Sequence, residues 1–197
     1  MKKIYPFLIA IPLIVISACA APPLQYYTLS EIGDNSGKQP IKLSSIQSPF
    51  ILVTRVTVPD YLDTADIIIR RGAALNRSQN GRMSSVLSVG ATELITHYLA
   101  MQRPDALVTN QNQLMLPQYQ IIINISRFDL NETSAGMGVA TLEANWSIVP
   151  ENEKNPIENQ KGLFTKSGSI KNDSDIIKLQ QDALIELAKH IDIRNLR

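Results

Sequence analysis

Apolar and polar residues alternate along several stretches of the chain, and this period of two predicts β-strands with one buried and one solvent-facing side. The clearest alternation runs from residue 140 to residue 148, where every second residue is apolar and Trp146 is one of them. We therefore expect Trp146 to lie in the core. A second alternating stretch spans residues 118–129. A strand rich in aromatic and β-branched residues is predicted at 24–29, and further strands are predicted at 50–58, 66–71, 73–77 and 162–171.

Two other stretches repeat their apolar residues at helical spacing. The first is predicted to begin at a cap formed by Ser84 or Ser85 and to end at Pro104, and the second is predicted to begin at residues 172–175 and to continue to about residue 193. The stripes consist of Leu87, Ala91, Leu94, Ile95 and Tyr98 in the first helix, and of Ile176, Leu179, Ala183, Leu187 and Ile191 in the second.

The order of these elements predicts the fold class. Polar or glycine-containing stretches at 78–81, 131–138 and 151–160 are expected to form turns and loops between strands. We expect a single α+β domain with a mostly antiparallel sheet and with both amphipathic helices packed on one face of that sheet.

The N-terminal residues have the organisation of a bacterial export signal. Lys2 and Lys3 precede an apolar stretch from residue 4 to residue 16, and small residues follow it. The stretch is too short to span a bilayer, which takes about 20 apolar residues. Residues 16–19, Ile-Ser-Ala-Cys, look like a lipobox. We expect a lipoprotein signal peptide at 1–18, a lipidated tether at 19–23 and one domain at 24–197.

Cys19 is the predicted site of lipid attachment because it is the only cysteine and occupies the lipobox position. The alternative is an ordinary signal peptide with a cysteine nearby by chance. Each buried methylene of an acyl chain such as palmitate contributes roughly 0.8 kcal/mol, so several chains anchor a protein firmly. Ala20 follows the cysteine in place of the aspartate that typically retains lipoproteins in the inner membrane. We therefore expect anchoring at the periplasmic face of the outer membrane.

Charge and composition exclude several classes of function. The 19 basic residues fall to 17 when Lys2 and Lys3 leave with the signal, against 18 acidic residues, so no nucleic-acid partner is expected. With Cys19 acylated, no thiol remains for a disulfide or a cysteine-based metal site. The two histidines, His97 and His190, lie on the two predicted helices, and we predict no catalytic residues, no metal site and no cofactor. An enzyme on a lipid tether is the third and least favoured hypothesis.

One stretch resembles a known family. Residues 56–64, Val-Thr-Val-Pro-Asp-Tyr-Leu-Asp-Thr, followed by Ile-Ile-Ile-Arg at 67–70, resemble the PqiC/YmbA family of ABC-type transport auxiliary lipoproteins. The Tyr-Tyr-Thr-Leu strand at 26–29 is similar as well. Family members usually continue with Arg-Trp-Ala-Glu-Pro-Leu into the first helix, whereas this chain has Arg-Met-Ser-Ser-Val-Leu at 82–87.

The resemblance implies a function without catalysis. Members of this family work beside an MCE-domain (mammalian cell entry) membrane protein and an inner-membrane transport complex. Together they move lipids between the inner and outer membranes. The chain would dock that system at the outer membrane, and a homo-oligomeric ring would suit the task. The main alternative is an outer-membrane assembly lipoprotein that binds a β-barrel partner.

The same stretch supplies the candidate interface. Pro59 should end a strand and present Tyr61 and Leu62 at one end of the sheet, where they either contact a partner or fold back over the core. Two arginines could hold the turn by pairing with Asp60 or Asp63. The candidate interface residues are Pro59, Asp60, Tyr61, Leu62, Arg70 and Arg82.

Overall fold

The computed structural model describes residues 23–30, 48–152 and 156–196, so Cys19 and the predicted signal peptide lie outside the described residues. Within these ranges the chain forms eight strands and two helices. In chain order they are β1 (Gln25–Tyr27), β2 (Phe50–Val53), β3 (Asp66–Arg71), β4 (Ala74–Met83), α1 (Leu87–Gln102), β5 (Leu107–Thr109), β6 (Tyr119–Ser134), β7 (Met137–Pro150), β8 (Glu158–Ser169) and α2 (Asp173–His190).

All eight strands belong to one sheet, in which β6 is the central strand. One edge of β6 pairs with β2 near its start and with β3 near its end, while its other edge pairs with β7, which pairs with β8. On the outer sides, β5 pairs with β2, β4 pairs with β3, and β1 pairs with β4.

The sheet is mixed, so the expectation of a mostly antiparallel sheet is not confirmed. Four of the seven strand pairings are parallel, and three are antiparallel. The antiparallel pairings join strands that follow each other directly in the chain, as a hairpin requires. The short strands β1, β2 and β5 join the sheet after longer connections, and local sequence patterns do not specify their direction.

Both helices contact each other and cover one face of the sheet, as expected for a single α+β domain. The predicted alternation of β6 is confirmed, because Ile121, Ile123 and Ile125 are fully buried while Ile122 is exposed on the opposite face. Trp146 is also buried, beside Phe164 at a ring separation of 6.3 Å, which confirms its core position. The apolar stripes of both helices face this core.

Two predicted loops belong to strands. The expected turn at 78–81 lies inside β4, where Gly81 pairs with β1 and where a side chain would collide with Asp173. The expected loop at 131–138 shortens to a tight turn around Gly136, whose φ is +73°, because β6 and β7 continue their ladder almost to its tip. No strand was predicted at the position of the short strand β5.

Candidate interface at the Pro59 turn

A hydrogen-bonded turn follows Val58, and residues 59–64 are called the Pro59 turn here. The carbonyl of Pro59 accepts the amides of Leu62 at 2.8 Å and Asp63 at 3.2 Å, and the amide of Thr64 donates to the carbonyl of Leu62 at 2.8 Å. Just before the turn, Thr57 still bridges to β6 at Asn124. The turn is therefore a compact connection between the end of the β2 segment and the start of β3.

The two apolar residues of the turn have different environments. Leu62 is 6% exposed and belongs to the core cluster, whereas Tyr61 keeps 46% of its surface exposed. The sequence left open whether both residues cap the core or both contact a partner. In the structure, Leu62 caps the core and Tyr61 does not. Only Tyr61, beside the exposed Asp60, is available to a second molecule.

Asp63 fixes the turn to the first helix. Its Oδ1 accepts the backbone N–H of Ser88 at 3.0 Å, and its Oδ2 lies 3.6 Å from Nη2 of Arg55. Arg55 in turn donates to the hydroxyl of Ser88 at 2.7 Å. Ser88 lies in the first turn of α1, where backbone N–H groups have no partner within the helix. Asp63 therefore caps α1 from a distant part of the sequence.

This arrangement corrects the predicted serine cap. The residue at the N-cap position is Val86, whose side chain makes no capping hydrogen bond. The amide of Ser84 instead donates to the carbonyl of Tyr27 at 2.7 Å, which extends the contact between β1 and β4. Because the Asp63 carboxylate already reaches the helix start, neither serine is needed there.

Arg70 lies at the end of β3 and binds a buried carboxylate, not the turn carboxylates proposed for it. Asp129 is only 8% exposed, accepts Nε and Nη2 of Arg70 at 3.0 and 2.9 Å, and accepts Nε of Arg127 at 2.6 Å. The hydrogen bond to Asp129 raises the pKa of Arg70, partial burial opposes this shift, and Tyr61 adds a smaller increase. Tyr61 thus lies beside a fixed positive charge.

Arg82 belongs to a second cluster in which two arginines bind one carboxylate. Its Nε lies 3.1 Å from Oδ1 of Asp66, and Arg77 lies 3.1 Å from the other oxygen of that carboxylate. Arg82 also donates from Nη1 to the carbonyls of Ser78 and Gly81. The two candidate arginines therefore stabilise β3 and β4, whereas Asp63 pairs with Arg55.

A second exposed apolar segment was missed in the sequence. In the connection between β5 and β6, Leu114 is fully exposed, Leu116 is 76% exposed and Met115 is 44% exposed. This segment is called the apolar loop here. The Gln118 side chain accepts the amide of Phe50 at 2.8 Å, which fixes the end of the loop to β2. One feature of the sequence could have indicated this segment: no charged residue occurs from 106 to 126.

The described part of the chain contains no group of three or more histidine, cysteine or acidic residues that could hold a metal ion. No helix within the described ranges is long and apolar enough to cross a membrane.

Around the Pro59 turn, the carboxylates of Asp63, Asp66 and Asp129 are all occupied by arginine or backbone donors. These contacts hold the backbone around the turn, and they leave the side chain of Tyr61 exposed on it.

Comparison with known proteins identifies similar chains. Residues 27–192 match the model of a family described as ABC-type transport auxiliary lipoprotein component. No curated protein matches the sequence significantly. In fold, the chain is similar to an uncharacterised protein at 16% identity and a TM-score of 0.65, over 86% of this chain and 97% of that one. It is also similar to protein XCC0632 of Xanthomonas campestris, assigned to DUF330, at 13% identity and a TM-score of 0.56, over 72% and 80% of the two chains.

Proposed function

The chain belongs to the family of ABC-type transport auxiliary lipoprotein components, and from this premise we propose that it is a non-catalytic docking component of an MCE-type lipid transport system. Membership confirms the resemblance found in the sequence. The observation that carries the docking role is Tyr61, an exposed aromatic side chain on a turn whose neighbours are fixed by Asp63, Leu62 and Arg70. Aromatic side chains held in place are common anchors of protein interfaces.

The proposed partner is the MCE-domain protein of an inner-membrane transport complex. Tyr61 offers a contact beside Arg70, and the apolar loop offers a second, uncharged contact. A homo-oligomeric ring is part of the proposal, and β8 supports it because, among the described residues, this long edge strand pairs only with β7. Light scattering of the detergent-extracted protein measures the oligomer.

Tyr61→Ser tests the docking role. We expect the variant to lose co-purification of the MCE-domain partner while its melting temperature stays within about 2 °C of the parent, because an exposed substitution has little effect on stability. Tyr26→Ser is the matched control, since Tyr26 is also an exposed tyrosine but lies on β1. Equal co-purification by both variants would place the interface elsewhere, and recovery of a β-barrel protein would favour the assembly alternative.

Leu62→Ser should behave differently from Tyr61→Ser. Leu62 is part of the core cluster, so its replacement should lower the melting temperature instead of acting on the interface alone. The two single variants therefore separate packing from partner contact, which a double variant would confuse.

The proposed anchor is an acylated Cys19 at the periplasmic face of the outer membrane. Intact-mass measurement of membrane-extracted protein should show loss of residues 1–18 and an added acyl mass. Cys19→Ser should abolish both changes, leave an unprocessed precursor or one cut by a different peptidase, and disrupt sorting to the outer membrane. Cleavage at another bond, or an unmodified Cys19, would contradict the anchor.

A further inference from the structure

Strand β8 has a long edge without the usual protection against strand pairing. It spans 12 residues, contains no proline, and pairs with β7 without a register shift. Both of its lysines are bound to carboxylates of the same chain, Lys161 to Glu143 and Lys166 to Glu186. Proteins commonly protect a free edge with proline, bulges or free lysine side chains, so this edge is open to another strand.

The hydrogen bond directly after β8 shows which of its residues face the free side. The amide of Ile170 donates to the carbonyl of Gly136, just before β7, at 2.9 Å. Successive residues of a strand direct their N–H and C=O groups to alternate sides, so Leu163 directs its groups away from β7. Leu163 is 64% exposed and Phe164 is buried, so the Leu163 side chain lies on the sheet face opposite the helices.

Strand β1 forms an edge on the other side of the sheet. Among the described residues, β1 pairs only with β4. The carbonyl of Tyr27 accepts the amide of Ser84, directly after β4, at 2.7 Å, so Tyr26 directs its N–H and C=O groups to the free side. Tyr26 is 68% exposed while Tyr27 packs against the core, so Tyr26 lies on the same sheet face as Leu163.

The two edges match in height and direction. Through β4, Tyr26 is level with Asp66, and through β7, Leu163 is level with Arg127. Asp66 and Arg127 each lie four residues before the pair that joins β3 to β6, so Tyr26 and Leu163 have the same height along the sheet. The pairings between them make β1 and β8 run in opposite directions. Two copies side by side in the same orientation therefore present an antiparallel pair of edges.

The side chains also fit this pairing. With Tyr26 opposite Leu163 of a neighbouring copy, two exposed apolar side chains cover each other, and such cross-strand pairs stabilise a sheet. Tyr27 then lies opposite Gly162, and an aromatic residue across from an edge glycine is a recurrent stabilising pair. Residues 23–28 carry no charge, so no like charge meets Lys161.

We propose that β8 of one copy pairs with β1 of the next, with Leu163 opposite Tyr26, and that this contact closes the ring. The inference rests on the homo-oligomeric ring of the proposed function. A contact between two different edges passes from copy to copy and can close into a ring, whereas two β8 strands paired across a two-fold axis end in a dimer. The occupant of the β8 edge is therefore a second copy of this chain.

Thiol crosslinking in the membrane fraction tests the contact. The double variant Tyr26→Cys/Leu163→Cys is treated with a short bis-maleimide, beside the parent chain, whose only cysteine is Cys19. Residues that exchange hydrogen bonds across an antiparallel ladder have Cα atoms about 5.5 Å apart, within reach of this reagent. We expect a series of covalent multimers, several-fold stronger than in the control Ile122→Cys/Leu163→Cys, because Ile122 is exposed on the central strand and not at an edge.

The outcomes separate this contact from the ring itself. The single variants and the parent should give no multimers. A dimer from Leu163→Cys alone overturns the proposal in favour of two paired β8 strands. If light scattering shows an oligomer and the double variant gives no more multimers than the control, the ring stands and the contact between β1 and β8 is wrong. A monomeric parent overturns the ring, and the inference with it.

Proline at position 163 tests the role of the main chain. Leu163→Pro removes the outward N–H and no hydrogen bond to β7, and proline is tolerated at such an edge position. Light scattering should show loss of the oligomer for Leu163→Pro and its retention for Leu163→Ser, which keeps the N–H. Tyr26→Ser also keeps its main-chain groups and should stay oligomeric. An oligomeric Leu163→Pro variant overturns the pairing, and if its melting temperature falls sharply, the crosslinking result decides.

Discussion

The two helices pack side by side on the same sheet face, but their ends are stabilised in different ways. The ends of α2 are stabilised by its own neighbours in sequence. Asn172 accepts the amide of Asp175 at 2.9 Å, acidic residues occupy the first turn, and Lys189 and His190 occupy the last turn. The Asn172 side chain satisfies a backbone amide that has no partner within the helix, and the acidic and basic residues at the two ends complement the helix dipole.

The ends of α1 depend on residues far away in sequence. Its first turn contains no acidic residue and its last turn no basic one, and the Asp63 carboxylate supplies the cap. At its other end, Arg103 donates from Nη1 to the carbonyls of Ile193, Arg194 and Leu196, beyond the end of α2. A helix with little local support can thus be fixed by tertiary contacts, and these contacts couple the Pro59 turn to the core.

Arg103→Ala should have the largest effect. It removes a charged donor from three backbone carbonyls, among them that of the buried Ile193, and it should lower the free energy of unfolding by about 2–3 kcal/mol. Urea unfolding followed by circular dichroism measures the change. Arg194→Ala is the control, because that exposed arginine pairs with Asp192 two residues away. Similar losses for both variants would mean that the long-range contact of Arg103 adds nothing.

Asp63→Ala should have the next largest effect, about 1–2 kcal/mol, since the variant loses the cap of α1. Asp60→Ala, in the same turn but with an exposed carboxylate, should change the free energy of unfolding by less than about 0.5 kcal/mol. Chemical denaturation compares the two variants. If both substitutions lower the free energy of unfolding equally, the capping role of Asp63 is wrong and only the charge of the turn matters.

Asn172→Ala removes the local cap of α2 and should cost about 1 kcal/mol. Hydrogen exchange of the amides in the first turn of α2 should become faster, while exchange in the first turn of α1 stays unchanged. Ser174→Ala serves as the control, because this exposed residue lies in the same turn. Faster exchange in α1 would show that the two helix starts are not independent.

Lowering the pH should have the smallest effect on stability, and it should act on the chain beyond α2. Hydrogen bonds from Arg194 lower the pKa of Asp192 to about 2 from its ordinary value of 3.8. Because the folded pKa is the lower one, this contribution is fully present above about pH 4 and is lost as the pH falls toward 2. Asp192 is partly exposed, so solvent screens the effect on stability. An NMR titration of its carboxylate should show the low pKa, and Arg194→Gln should raise that pKa only part of the way to the ordinary value, because the backbone N–H of residue 194 still donates to Asp192.

The same distinction separates what was predicted in the candidate interface from what was not. The turn at Pro59 could be predicted because proline ends a ladder locally, and Arg70 at the end of a strand was visible as well. The partners of the arginines could not be predicted, because Asp129 lies 59 residues after Arg70. The opposite environments of Tyr61 and Leu62 depend on which side of the turn faces the helices.

The sequence by itself determined the strands with regular alternation, both helices with their apolar stripes, the core position of Trp146 and the start of α2 at residues 172–175. Each of these depends on residues within a few positions of one another, so local periodicity and side-chain chemistry are sufficient. Only the tertiary structure decided that β1, β2 and β5 pair in parallel, that β4 continues through Gly81, and that Asp63 caps α1. These features join distant segments, and the free energy that selects them comes from burial of the shared core, which no local pattern contains.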